Sequence, residues 1–198
     1  MRLFSYIVSR DFGFAPNPFH GICTLAACKP QIRKHAMVGD YVVGLTPKPD
    51  GNRICYVMEV AEKISFDEYW NDPRFQVKKP VFNMSDKYKA GDNIYFRKHD
   101  GTWHQQKSHH TNEDGSPIQA NIDTDTVSTD QVLIASNFSY WGVGAIPLPE
   151  KFGALRVLRS HRNDFDRKFV DDFILWFRHQ EKGVLGQPEK WQHKRTFQ

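Results

Sequence analysis

The chain has no long apolar run. Nowhere in its 198 residues do apolar side chains continue for the roughly 18 positions that a membrane-spanning helix needs. The opening MRLFSYIVSRDFGF has too short an apolar stretch, and a charge too early, for a secretory signal. Cysteine is scarce and odd in number (Cys23, Cys28 and Cys55), which speaks against a secreted disulfide framework. Cys23 and Cys28 are spaced C-x4-C with no second pair downstream, too little for a structural zinc site. A phosphate-cradling glycine-rich loop, a paired-carboxylate signature and a G-x-S-x-G elbow are all missing. Nucleotide hydrolysis by a standard motif is therefore unsupported. The expectation is a cytoplasmic protein with no membrane, metal or cofactor.

What is abundant is aromatic. Aromatic residues make up 14% of the chain and 15 of them are Phe, more than one small core readily absorbs, so some rings are expected to line surfaces or pockets. The formal charge of +4 is compatible with a polyanionic partner without demanding one. Basic residues gather in three places: Lys29, Arg33, Lys34 and His35; Arg156, Arg159, His161 and Arg162; and Lys190, His193, Lys194 and Arg195. Each is a solvated surface or a phosphate contact.

Along the chain, Leu3–Ser9 reads as a buried strand. In Asp11–His20 (DFGFAPNPFH), Pro16 and Pro18 fix φ at two positions and bias the residues before them to extended backbone. The result is a stiff loop. Ile22–Ala27 is a strand or a short helix, and Pro30 suits the first turn of a helix through His35. Tyr41–Leu45, the turn KPDGN and a long strand Arg53–Ile64 read as a hairpin. Ser65-Phe-Asp-Glu68 matches a capping box for a helix through Trp70. Lys78–Ala90 looks irregular, Asn93–Phe96 is a strand, and 105–130 is a long polar loop before the strand Val132–Ala135. From Asp164 to Gln180, Phe165, Phe169, Phe173 and Phe177 recur every fourth residue, predicting an amphipathic helix capped by Asn163 or Asp164. One domain is expected over 1–183, with a basic tail over 184–198. Non-alternating strands and helices favour an α+β fold.

The segments RLFSYIVSRDFGFAPNPFHGICTLAACKP, VGDYVVG, SFDEYWNDPRF, GDNIYF and VLIASNFSYWG resemble the bacterial and phage family called nucleotide modification associated domain, second type. The likeness runs from about Arg2 to Pro149 with the motifs in order. It implies a role in making, handling or recognising modified bases, with nucleic acid (DNA first) or a nucleotide as partner, and it brings no agreed reaction or catalytic set. A looser similarity of order and spacing links the chain to PUA-like domains of the EVE and ASCH kind. That likeness implies a small mixed β-barrel with flanking helices and a C-terminal amphipathic helix, with a base held between barrel and loops.

With nucleobases as the implied ligand, Asp11–His20 becomes a candidate pocket wall. Phe12, Phe14 and Phe19 offer faces for stacking, and Arg10, Asp11, Asn17 and His20 offer hydrogen bonds to base edges or phosphate. The competing reading is a crossover whose rings plug the core. Trp70, Tyr140 and Trp141 could close an aromatic cage on a flipped base or could be plain packing. Asp92 and Asn93 could meet a base edge or only stabilise their turn, and Lys29, Arg33 and Lys34 are candidate phosphate contacts. For proton transfer, Asp11, His20 and His109 are the candidates, with His104 beside them. Cys23 and Cys28 read as buried thiols, with a nucleophile partnered by His20 as the alternative. Three functions remain open: a base-binding module, an enzyme of base hypermodification, and an accessory subunit docking a protein partner through the Phe-striped helix.

Overall fold

The computed structural model describes residues 1–158 and 160–192. Arg159, His193, Lys194 and Arg195 of the basic clusters lie outside the described residues. In chain order the elements are β1 (Leu3–Ile7), β2 (Cys23–Leu25), α1 (Pro30–His35), β3 (Tyr41–Leu45), β4 (Ile54–Glu59), β5 (Glu62–Ser65) and α2 (Phe66–Asn71). They continue with α3 (Asp86–Lys89), β6 (Tyr95–Arg97), β7 (Trp103–Gln105), α4 (Gln119–Thr126), β8 (Gln131–Ala135) and β9 (Phe138–Tyr140). The last are β10 (His161–Arg162), α5 (Arg167–Arg178), β11 (Gly183–Val184) and α6 (Glu189–Gln192). The fold is α+β, and the chain forms two compact units.

The first unit comprises Met1–Phe12, Ala36–Ala61 and Ala135–Gln198. Its sheet has six strands in the order β10-β1-β3-β4-β9-β11. β1 runs parallel to β3, and β3 and β4 form the expected antiparallel hairpin, turned at Gly51 with φ 87°, which glycine adopts without strain. Gly44 on β3 is a packing requirement: a Cβ there would lie 2.4 Å from the Tyr56 ring and 2.6 Å from Val8. Among the described residues the outer strands β10 and β11 do not pair with each other. This sheet is open, and the closed barrel implied by the PUA-like resemblance is corrected accordingly.

The phenylalanine stripe forms the predicted helix, α5. Val170, Phe173, Ile174 and Phe177 are buried in one cluster with Leu3, Val43, Leu45 and Val57. Its cap is Asp166, whose Oδ1 accepts from the Phe169 amide at 2.8 Å, and not Asn163 or Asp164. Asp164 is occupied by Arg162, 2.6 Å away. Part of the segment expected as a tail is structured: β11 runs parallel to β9, and the Trp191 indole N–H donates to the Phe12 carbonyl at 3.0 Å.

The second unit comprises Gly13–His35 and Glu62–Ile134. It contains a three-stranded sheet, β2-β8-β5, and the ribbon β6-β7. The long strand expected over Arg53–Ile64 is two strands, because the chain leaves the first unit after Ala61; β5 pairs antiparallel with β8. The capping box is present. Ser65 Oγ accepts from the Glu68 amide at 3.2 Å, and Glu68 Oε2 accepts from the Ser65 amide at 2.7 Å. The polar loop expected over 105–130 contains α4, with Ile122, Asp125 and Thr126 buried. No apolar stripe announced this helix, because much of its buried side is polar.

Candidate functional site

Cys28 follows β2 and precedes α1. Both Cys28 and Lys29 are held at positive φ, 58° and 43°. This left-handed backbone costs a side-chain-bearing residue on the order of 1 kcal/mol or more, and such strain gathers at working sites. A buried carboxylate holds the bend: the Cys28 amide donates to Asp125 Oδ1 at 2.6 Å. Asp125, on α4, also accepts through Oδ2 from the Tyr95 hydroxyl at 2.8 Å and meets His110 Nδ1 at 3.0 Å. An ionised carboxylate only accepts, so Nδ1 donates. The other ring nitrogen, Nε2, then faces Cys28 Sγ at 3.5 Å.

Neighbouring groups fix each member. The Gln105 side chain and the Asn121 amide nitrogen donate to the His110 carbonyl at 3.2 and 2.8 Å, and the Phe14 ring lies 4.6 Å from the imidazole. Arg33 is fully buried. It donates to the carbonyls of Cys28, Gln131 and Asp125 at 2.8, 2.8 and 2.6 Å and stands 3.7 Å from the Asp125 carboxylate. Burial by itself would lower the His110 pKa, but its hydrogen bonds to Asp125 and Cys28 and their charges prevail and push it up to about 9. Sulfur, imidazole and carboxylate ligand atoms all lie within 4.8 Å of one another, close enough to surround a metal ion. The two Asp125 oxygens are already taken by N–H and O–H donors, and the Arg33 guanidinium supplies the positive charge a cation would bring. The donor set therefore fits a proton relay better than a metal centre.

A second buried network in the same unit accounts for several predicted residues. The Lys78 ammonium donates to the Asn17 carbonyl, to Asn17 Oδ1 and to the Ile22 carbonyl at 3.0, 2.7 and 2.6 Å. Burial lowers its pKa to about 8, against the opposing pull of Asp92 and Cys23. Asn17 Nδ2 donates to the carbonyls of Gly13 and Ala90. Asp92 accepts from Thr24 Oγ1 at 2.6 Å and the Tyr69 hydroxyl at 2.8 Å, and burial raises its pKa. Asn93 donates to the Tyr69 and Phe75 carbonyls. Asn17, Asp92 and Asn93 are fully buried, and these bonds fasten loops to one another.

In the first unit, the Tyr140 hydroxyl donates to Asp11 Oδ2 at 2.6 Å, and the Cys55 thiol lies 3.7 Å from the same oxygen. Asp11 and Cys55 line a cavity of about 170 Å³, with Val8, Pro47, Arg53 and Glu189 also on its wall. Burial first, and then the Asp11 charge, raise the Cys55 thiol pKa well above its ordinary value.

A family comparison gives the chemical context: the family nucleotide modification associated domain 2 matches residues 1–195. The chain belongs to this family. Neither the curated proteins nor the solved structures give a match.

The residues singled out from the sequence of this nucleotide modification associated domain fall into separate groups. Asp11–His20 is divided between the units, Arg10, Asp11 and Phe12 falling in the first and Phe14, Asn17, Phe19 and His20 in the second. Phe14 and Phe19 are buried, so neither presents an open face. The His20 ring packs at a tilt against Tyr88, 4.8 Å between centres, and burial, Lys78 and Lys87 lower its pKa. Tyr140 and Trp141 are buried as well. Trp70 is half-buried, stacked on Phe96 at 4.4 Å with the Lys79 ammonium 3.6 Å from its ring. Of the phosphate candidates, Lys34 is exposed and Lys29 half-buried. Arg33 is corrected: its guanidinium is spent on carbonyls and a carboxylate in the interior. His109 is exposed, and its neighbour His110 is the imidazole that meets Cys28. Sequence reasoning placed His110 in a polar cluster with His99, His104 and His109 but preferred His109 for proton transfer, and it missed Asp125 and Tyr95. A histidine pair in a polar loop was the available signal, without a way to choose between its members.

Proposed function

We propose that the chain handles a nucleobase, free or within a nucleotide or DNA, in a base-modification system, and that the base sits in the cavity beside Asp11. Family membership supplies the chemical context. The observation that carries the reading is the composition of the cavity wall. Asp11, Asp50 and Glu189 outnumber Arg53 there, and Val8, Pro47 and Val143 supply apolar surface. Such a wall disfavours phosphate and favours a flat ring whose edge donates hydrogen bonds, because carboxylates accept from exocyclic amines. Adenine or cytosine, plain or modified, fits this description better than uracil. At about 170 Å³ the cavity is smaller than the roughly 300–1,000 Å³ of drug-sized sites, in keeping with one base. Phosphates of a longer ligand would then meet exposed lysines elsewhere, at a cytoplasmic DNA or nucleotide partner. The open six-stranded sheet gives the PUA-like reading less support than the family gives a base ligand.

Titration with cytidine, adenosine and uridine, and with modified and unmodified oligonucleotides across a salt series, tests this. Asp11→Asn should weaken amine-bearing bases by roughly tenfold, the share of a charge-assisted hydrogen bond, with the salt slope unchanged. Absence of binding to every nucleoside and oligonucleotide would overturn the reading. A specific observation favours the enzyme alternative, namely the imidazole beside Cys28.

A further inference from the structure

We propose that Cys28 and His110 form a nucleophilic catalytic pair for acyl transfer from a carboxylic amide or ester, with Asp125 as the positioning residue. The inference is independent of the base cavity, which belongs to the other unit.

Three observations carry it. Sulfur, imidazole and carboxylate stand in series, with Sγ to Nε2 at 3.5 Å and Nδ1 to Oδ2 at 3.0 Å. A nucleophile, a base within reach and a third group orienting the base are the parts that covalent catalysis requires. The cluster is also uneven in exposure: Cys28 and His110 are half-buried and Asp125 is fully buried. Its reactive end is thus the accessible one. Finally, the carboxylate is locked by the Cys28 amide, the Tyr95 hydroxyl and the Arg33 cation, and the thiol sits on a strained bend that the same carboxylate holds. A structural thiol needs none of this. Cys23 and Cys55 are 0% and 2% exposed, and the Cys55 thiol faces a carboxylate in place of an imidazole.

The chemistry follows from the atoms. With the proton shared between Cys28 and His110 resting on Nε2, the Cys28 sulfur bonds to the carbonyl carbon as the C=O electron pair moves onto oxygen. Collapse of that tetrahedral centre breaks the C–N or C–O bond, and Nε2 returns the proton to the leaving amine or alcohol. A thioester on Cys28 remains. Water, deprotonated by Nε2, attacks the thioester; the C–S bond breaks, a carboxylic acid leaves and sulfur recovers its proton. A leaving amine must be protonated beside the attacking atom, and Nε2 stands there, which is why an amide or ester is the substrate class.

The test uses the full chain with two probes, iodoacetamide and p-nitrophenyl acetate. Cys28 should be alkylated before Cys23 and Cys55, and p-nitrophenolate should appear in a burst of about one equivalent, with acetyl found on Cys28 by peptide mass. His110→Ala should slow alkylation and acylation roughly 100-fold, the lower range for a positioned base. His110→Gln, able to keep a hydrogen bond to Asp125, serves if His110→Ala fails to fold. Asp125→Asn should lower kcat for the ester with KM unchanged. Equal alkylation of Cys28 with and without His110 would overturn the proposal, as would the lack of an acyl-enzyme. So would one zinc per chain whose removal is needed before Cys28 reacts, because the cluster would then be a metal site.

Discussion

Each unit sets a thiol near a buried carboxylate, and the outcomes are opposite. In the first, Cys55 lies 3.7 Å from Asp11, is 2% exposed and has its pKa raised by burial and by that neighbouring charge. The proton stays on sulfur. In the second, an imidazole contacts both the Cys28 sulfur and the Asp125 carboxylate, and a buried arginine offsets the carboxylate. The same two residue types therefore make an inert core contact in one place and a proton relay in the other. The imidazole and the compensating charge decide which, because a buried anion directly beside a thiol opposes its ionisation whereas an imidazole touching both groups can hold the proton.

The comparison can be broken at several points. The largest effect is expected from Arg33→Met. Removing the buried cation strips three interior carbonyls of their donor and leaves Asp125 only His110 for compensation, and should cost about 3–5 kcal/mol in denaturant unfolding. Asp11→Asn in the other unit should cost far less, since the amide oxygen still accepts from Tyr140. An equal loss in both would remove the distinction.

His110 makes the next prediction. Its folded pKa of about 9 is raised above the ordinary value of roughly 6.5. Its contribution is therefore fully present below pH 6.5 and is lost as pH rises through 9. The groups facing the imidazole are Cys28, Asp125 and the neighbouring His109, with Arg33 and Tyr95 held on Asp125. Lys78, lowered to about 8, acts with the opposite sign above that pH, so the clean window is 6.5 to 8. Stability should fall across this window by up to about 2 kcal/mol, at roughly 1.4 kcal/mol per pH unit, and His110→Gln should flatten the slope. A slope unchanged in that variant would mean that His110 is not held as an imidazolium.

The smallest effect is a control inside the second unit. Ser65→Ala removes the cap of α2 and should cost about 1 kcal/mol by thermal melting, while the alkylation rate of Cys28 stays unchanged. A parallel loss of thiol reactivity would show that reactivity follows general stability and not the relay.

Local features were legible. The capping box at Ser65, the hairpin around Lys48–Asn52 and the stripe from Phe165 to Phe177 each carry their information within a few residues. The misses have physical causes. The strand expected over Arg53–Ile64 ends early because the chain changes units there, which no local pattern records. The polar stretch 105–130 hides α4 because that helix buries Asp125 and Thr126 alongside Ile122. Asp11–His20 was legible as a stiff aromatic loop, but Asn17 faces a buried lysine 61 residues away, and stiffness cannot distinguish a pocket wall from such a fastening.

By itself the sequence determined the α+β class, the local caps and turns, the apolar face of α5 and the family. Only the tertiary structure selected Cys28 from three cysteines and His110 from nine histidines. Cys28 lies 82 residues from His110 and 97 from Asp125, and hydrogen bonds between partners so distant depend on how β2, α4 and the 107–118 segment pack, not on the spacing of residues along the chain.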